Sequence, residues 1–125
     1  MRFLIVDDSE SDCMLLEALL SRAAPNASVL ICHSIMDVKS VLTAEPSRFD
    51  VIFLDMMLPD GGGEEVVAAI KEHSPCAQLI VVSGMSGERL AGAASEIDFD
   101  DYFQKPLDLV RVKNRIAEIC AGCRE

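Results

Sequence analysis

The stretch VIFLDMMLPDGGGEE, residues 51–65, holds a contradiction. Val51, Ile52, Phe53 and Leu54 form a short, continuously apolar run of the kind that becomes a buried strand. The run then stops on a charged residue, Asp55, and a glycine-rich turn follows. A strand that is apolar throughout, rather than alternately, is expected in a parallel sheet covered on both faces by helices. After the turn, residues 64–71 carry Val66, Val67 and Ile70 at helical spacing and end before Pro75. The unit is therefore strand, turn, helix.

Outward from this stretch the same unit recurs. Apolar runs fill residues 3–6 (FLIV), 29–32 (VLIC) and 79–82 (LIVV), and a weaker one surrounds Tyr102 and Phe103. Met14, Leu15, Leu16, Leu19, Leu20 and Ala23 keep helical spacing until Pro25, and Ile35, Val38, Val41 and Leu42 do so before Pro46. Leu107, Val110, Ile116 and Ile119 fit a last helix with Pro106 near its start, where proline is tolerated. Residues 86–94 have Gly87, Gly92 and one large apolar residue, Leu90, which predicts a weakly held fourth helix. Five β-α units without a repeat or linker imply an α/β fold built on a parallel sheet.

A chain of 125 residues suits one compact domain, here 1–125, with enough length for a full core. The formal net charge of −10 argues against direct binding to nucleic acid or to anionic lipid. No apolar run approaches the ~20 residues of a membrane span. Asp7 and Asp8 also cut short the first apolar run, unlike a signal peptide. A cytoplasmic protein is expected. The five cysteines, Cys13, Cys32, Cys76, Cys120 and Cys123, are odd in number and irregular in spacing, so no disulfide framework is expected. Cys120 and Cys123 form a C-x-x-C pair, but at the end of a helix rather than at its start, and read as ordinary thiols. His33 and His73 have no ligand-spaced partners and read as surface residues.

The polar residues concentrate where strands end. Asp7 and Asp8 follow the first strand, Asp55 the third and Ser83 the fourth, while Lys105 comes shortly after the fifth. Open parallel sheets bind ligands at the carboxyl ends of their strands, where the strand order reverses. If the order is 2-1-3-4-5, strands 1 and 3 flank that reversal and Asp8 faces Asp55 across a gap of about 4.8 Å. Ser83 and Lys105 then follow along the same edge. Two like charges about 4 Å apart repel by about 4 kcal/mol at an effective dielectric of ~20, so crowded carboxylates take up protons or bind a cation. An all-oxygen site with room for water and phosphate favours Mg²⁺. A divalent ion beside a carboxylate and a lysine suits phosphoryl transfer, with Asp55 as nucleophile and an aspartyl phosphate as product.

Four segments carry a family resemblance: Ile5-Val6-Asp7-Asp8-Ser9, residues 54–63 (LDMMLPDGGG), Val82-Ser83-Gly84, and Tyr102-Phe103-Gln104-Lys105-Pro106. Together they resemble the receiver domain of bacterial two-component response regulators, of the chemotaxis-regulator kind, over essentially the whole chain. The resemblance implies a flavodoxin-like, doubly wound, five-stranded parallel sheet of order 2-1-3-4-5 with helices on both faces. It implies that Asp55 takes a phosphoryl group from the phosphohistidine of a histidine kinase or histidine phosphotransfer protein. Asp8 and Asp55 hold Mg²⁺ by side chain, Met57 by its backbone carbonyl, and Asp7 through a bound water. Lys105 pairs with the phosphoryl oxygens, and Ser83 hydrogen-bonds one of them. Tyr102 occupies the aromatic switch position, and the Lys105–Pro106 peptide bond is expected to be cis. Such a chain is a signalling receiver rather than an enzyme, limited to self-catalysed phosphotransfer and dephosphorylation. Its phosphorylated face, built by the fourth helix, fifth strand and fifth helix, serves a downstream protein, a fused output domain or a homodimer partner.

Departures from the family pattern sharpen these expectations. Asp98, Phe99, Asp100 and Asp101 stand where the family often has small residues, and the acids there read as a solvated loop. Met57 and Met85 flank the site, and a thioether neither acts as a base nor holds water firmly, which predicts slow self-dephosphorylation. A phosphatase of the haloacid dehalogenase type would need an acid two residues after its nucleophile, where this chain has Met57. A degenerate, non-phosphorylated receiver is the remaining alternative. The chain reads either as a complete single-domain regulator or as the N-terminal piece of a longer protein.

Overall fold

The computed structural model describes residues 1–46, 48–84 and 99–122. The predicted helix at 86–94, together with Met85, Asp98 and Cys123, lies outside the described residues. Strand β1 (Arg2–Val6) is followed by α1 (Glu10–Ala23), β2 (Ser28–Cys32), α2 (Ile35–Ala44) and β3 (Val51–Leu54). Next come two-residue strands β4 (Met57–Leu58) and β5 (Gly61–Gly62), then α3 (Glu64–His73), β6 (Gln78–Ser83), β7 (Asp101–Gln104) and α4 (Leu109–Gly122). The five long strands form one parallel sheet in the order β2-β1-β3-β6-β7, the expected flavodoxin-like order.

Each apolar strand splits its side chains between two cores, because successive residues point to opposite faces. Phe3, Ile5, Val51, Phe53, Ile80 and Val82 pack with Leu16 and Leu20 of α1 and with Val112 and Ile116 of α4. Leu4, Val6, Ile52, Leu54, Leu79 and Val81 pack with Val38 and Leu42 of α2 and with Val66 and Ile70 of α3. The Phe3 and Phe53 rings stack across neighbouring strands at 6.4 Å. Both faces of the central strands are thus covered, which is why their sequences lack polar alternation.

Helix starts follow local capping chemistry. Ser9 and Ser34 cap α1 and α2 through their hydroxyls, which accept the N–H groups of Asp12 and Asp37. The last helix begins at Leu109 rather than Leu107, because the Asp108 carboxylate accepts the N–H groups of Val110 and Arg111 at 3.1 and 3.3 Å. The small β4–β5 hairpin was not foreseen. It folds the turn after Asp55 back on itself, pairing Met57 with Gly62, with Gly61 at a φ of 150° that a side chain would strain. Asp60, in that hairpin, reaches across to α2 and accepts the N–H groups of Ile35 at 2.9 Å and Met36 at 3.2 Å.

Candidate functional site

Backbone pairing brings the polar residues together, because the sheet ladder continues one residue past the strands. The Asp7 N–H donates to the Cys32 carbonyl at 3.0 Å, the Asp55 N–H to the Val6 carbonyl at 2.8 Å, and the Lys105 N–H to the Ser83 carbonyl at 2.8 Å. Each site residue is therefore locked to the last carbonyl of the adjacent strand. Asp55 sits beside Asp7 and Asp8 because β3 lies next to β1. Ser83 and Lys105 follow along the edge because β7 lies next to β6.

Asp7, Asp8 and Asp55 each present a carboxylate oxygen within 4.8 Å of the others. Asp7 and Asp55 are buried, 2% and 5% exposed, whereas Asp8 is open to solvent. The Lys105 ammonium points into this group and lies 2.8 Å from Asp7 Oδ2, 3.0 Å from Asp55 Oδ2 and 2.9 Å from the Oδ2 of Asp12. Asp55 Oδ1 accepts the N–H of Met57 at 2.9 Å, and Asp7 Oδ1 that of Ser9 at 2.9 Å. The Lys105–Pro106 peptide bond is cis, as expected. Ser83 is fully buried at the end of β6, Tyr102 is half-buried on β7, and the Met57 side chain is exposed.

Electrostatics follow from this packing. Burial pushes the Asp7 carboxyl above the usual carboxylate range, and the Asp55 charge adds to the effect, while the bonds from Lys105 and Ser9 oppose it. Burial also disfavours the Lys105 charge, but bonds to Asp7, Asp12 and Asp55 outweigh it and raise the ammonium's pKa. Beneath the cluster, burial and the nearby Asp7 push the Cys13 thiol up to about 11. Its Sγ lies 3.4 Å from the Asp7 carbonyl.

The donor set fits a hard divalent cation. It is entirely oxygen, it carries several negative charges against one ammonium, and Asp7 Oδ2 makes no well-aligned hydrogen bond although Lys105 Nζ is near. Asp7, Asp8 and Asp55 are the side chains whose oxygens could hold it, with the main chain at Met57 alongside.

Residues 3–117 match the model of the response regulator receiver domain. The chain belongs to this family. It is similar to the photosynthetic apparatus regulatory protein RegA of Cereibacter sphaeroides, with 31% identity over 114 residues, covering 90% of this chain and 59% of RegA. It is 30% identical over 114 residues to the response regulator PilR of Pseudomonas aeruginosa, covering 91% of this chain and 25% of PilR. The receiver thus spans between a quarter and three-fifths of these relatives' lengths. In fold it resembles the signal receiver domain of a DNA-binding response regulator from Colwellia psychrerythraea, with a TM-score of 0.82, 21% identity and coverage of 97% and 98% of the two chains. The BeF3-activated DrrB receiver domain superposes with a TM-score of 0.78 at 25% identity, covering 96% and 97%. Receivers are signalling domains of two-component systems, and the acidic cluster of this one is compatible with Mg²⁺. Among the described residues no helix is long and apolar enough to cross a membrane.

One reading of the receiver's sequence needs correction, and one residue escaped it. Asp100 and Asp101 are not simply a solvated acidic loop: Asp100 Oδ2 accepts the Leu79 N–H at 2.7 Å, and Asp101 Oδ2 lies 3.0 Å from Arg115 Nε. They fasten β7 to β6 and to α4. Asp12, the third carboxylate on Lys105, was missed altogether. An acid in the first turn of a helix has an ordinary reason to be there, since it complements the helix dipole. His33 is exposed, as expected, with Nδ1 2.9 Å from the Asp7 carbonyl.

Proposed function

We propose that this receiver accepts a phosphoryl group on Asp55 from the phosphohistidine of a histidine kinase or histidine phosphotransfer protein. The observation supporting this most directly is a carboxylate at the sheet's switch point, 5% exposed, with two further acids and an ammonium within reach. The BeF3-activated form of the DrrB receiver domain adds support from a similar chain.

In the proposed transfer an Asp55 oxygen attacks phosphorus and forms the new O–P bond. The P–N bond of the donor breaks, and its electron pair stays on the imidazole nitrogen. Asp8, Asp55 and the Met57 carbonyl would hold Mg²⁺, and Asp7 would act on it at one remove. When bound, such an ion would supply positive charge to offset that on the phosphoryl oxygens. Lys105, already aimed at Asp55, donates to a phosphoryl oxygen once the carboxylate is phosphorylated, and Ser83 donates to another. Tyr102 follows Ser83 inward, altering the face that includes β7 and α4 for a downstream protein, an output domain in the same polypeptide or a second phosphorylated copy. The receiver works in the cytoplasm, 1–125 forms one domain, and its own chemistry is confined to gaining and losing the phosphoryl group. The exposed Met57 thioether neither activates nor anchors water, so loss is slow.

Incubation of the purified chain with labelled acetyl phosphate and Mg²⁺ tests the nucleophile. Label on the wild type and none on Asp55→Asn is the expected result. Full labelling of Asp55→Asn overturns the assignment. For lifetime, Met57→Asn should release phosphate faster than the wild type, and equal rates would remove Met57 from the account.

A further inference from the structure

The site contains a carboxylate that the proposed transfer does not use. Asp12 Oδ2 lies as near to Lys105 Nζ, at 2.9 Å, as do the oxygens of Asp7 and Asp55. An ammonium has three N–H donors, and three carboxylate oxygens lie within 3.0 Å of this one, so its charge is shared among them. Asp12 is the most open of the three, 26% exposed at its side chain against 2% for Asp7 and 6% for Asp55. Its placement is nonetheless fixed. Its own N–H donates to the capping Ser9 Oγ at 3.4 Å, and the next residue, Cys13, is buried in the core with its N–H on the Ser9 carbonyl at 3.0 Å. The carboxylate therefore arrives on a capped helical turn rather than on a loop.

Resting on the phospho-accepting reading above, we propose that Asp12 is a positioning residue. It anchors the Lys105 ammonium in the unphosphorylated state and competes for it with the incoming phosphoryl oxygens. Two effects act in the same direction. Lys105 must give up part of its ion-pair contact with Asp12 as it turns to a phosphoryl oxygen. The Asp12 charge also repels a group that brings nearly two negative charges of its own. For a divalent cation the sign reverses, because the extra carboxylate deepens the negative potential that attracts it. Asp12 thus tunes this receiver towards metal and away from phosphoryl.

The opposed signs provide the test. Wild type, Asp12→Asn and Asp12→Glu are titrated calorimetrically, first with Mg²⁺ alone and then with beryllofluoride, a phosphoryl mimic, at saturating Mg²⁺. Asp12→Asn should bind beryllofluoride about three- to ten-fold more tightly and Mg²⁺ about three- to ten-fold more weakly, the effect of one partly screened charge. Asp12→Glu, which keeps the charge, should stay close to wild type in both. A purely structural role would weaken both ligands together or move neither, with only the melting temperature falling, and either outcome overturns the proposal. If the wild type binds beryllofluoride normally while Asp12→Asn is unchanged, this inference fails alone. If the wild type binds no beryllofluoride and takes no label on Asp55, the phospho-accepting reading fails with it.

Discussion

The two ends of the sheet use aspartate in opposite ways. At the amino end, the carboxylates of Asp50 and Asp100 accept the N–H groups of Arg2 and Leu79 at 2.8 and 2.7 Å. Their own N–H groups donate back to the Arg2 and Leu79 carbonyls. Each acid closes a two-bond ring with a neighbouring strand, and its charge is spent on the backbone. At the carboxyl end, Asp7 and Asp55 also give their N–H groups to neighbouring strands, but their side chains turn towards each other and towards Lys105. The amino end is satisfied by hydrogen bonds; the carboxyl end is left with surplus negative charge in a partly buried place. That surplus, and not the presence of aspartate at a strand terminus, is what marks a reactive site.

The contrast can be broken most completely at Asp55. Asp55→Asn should eliminate phosphoryl uptake while leaving the amino end and the fold intact, as read by labelling and circular dichroism. Lys105→Ala comes next. It leaves the buried carboxylates of Asp7 and Asp55 without their counter-charge, and unfolding in denaturant should show a loss of about 2 kcal/mol in metal-free buffer. Much of that loss should return when Mg²⁺ is added, since a ligand that binds only the folded state stabilises it.

Asp7→Asn should do the reverse and stabilise the metal-free protein by about 1 kcal/mol at neutral pH, because burial holds the Asp7 pKa above its unfolded value. The sign fixes the pH dependence. A raised carboxyl contributes its full stabilising effect below an unfolded pKa of about 3.9 and loses it as pH climbs through the folded value. The stability advantage of Asp7→Asn should therefore be near zero around pH 4 and grow with pH. A constant gap would show that folding does not raise the Asp7 pKa. The smallest effect belongs to the amino end. Asp100→Ala should lower stability by about 1 kcal/mol, the worth of one backbone hydrogen bond, and leave labelling unchanged.

The sequence made one of these ends far easier to read than the other. Asp55 and Lys105 are conspicuous because they stop or follow apolar runs, and parallel-sheet topology brings such termini to a common rim. The alternation of strand and helix likewise implied a parallel sheet, and the continuously apolar strands implied two covered faces. The strand order came with the family resemblance. Asp100 and Asp101 gave no comparable signal. In a charge-rich stretch nothing local tells which distant N–H or guanidinium a carboxylate will meet. Asp12 was hidden for a related reason, its position on the first turn of α1 being explained by the helix dipole before any tertiary contact is considered. The β4–β5 hairpin escaped notice because strands of two residues, one of them Gly-Gly, have no period to detect.

The Asp60 clasp carries a separate consequence. The segment that follows the nucleophile is fastened not only to the elements it joins but also to α2, through two amide protons on Ile35 and Met36. Any displacement of that segment strips both amides of their acceptor at once. Deuterium uptake at these two positions is therefore a built-in gauge of how far the loop beside Asp55 has lifted, read from a helix that takes no part in the chemistry.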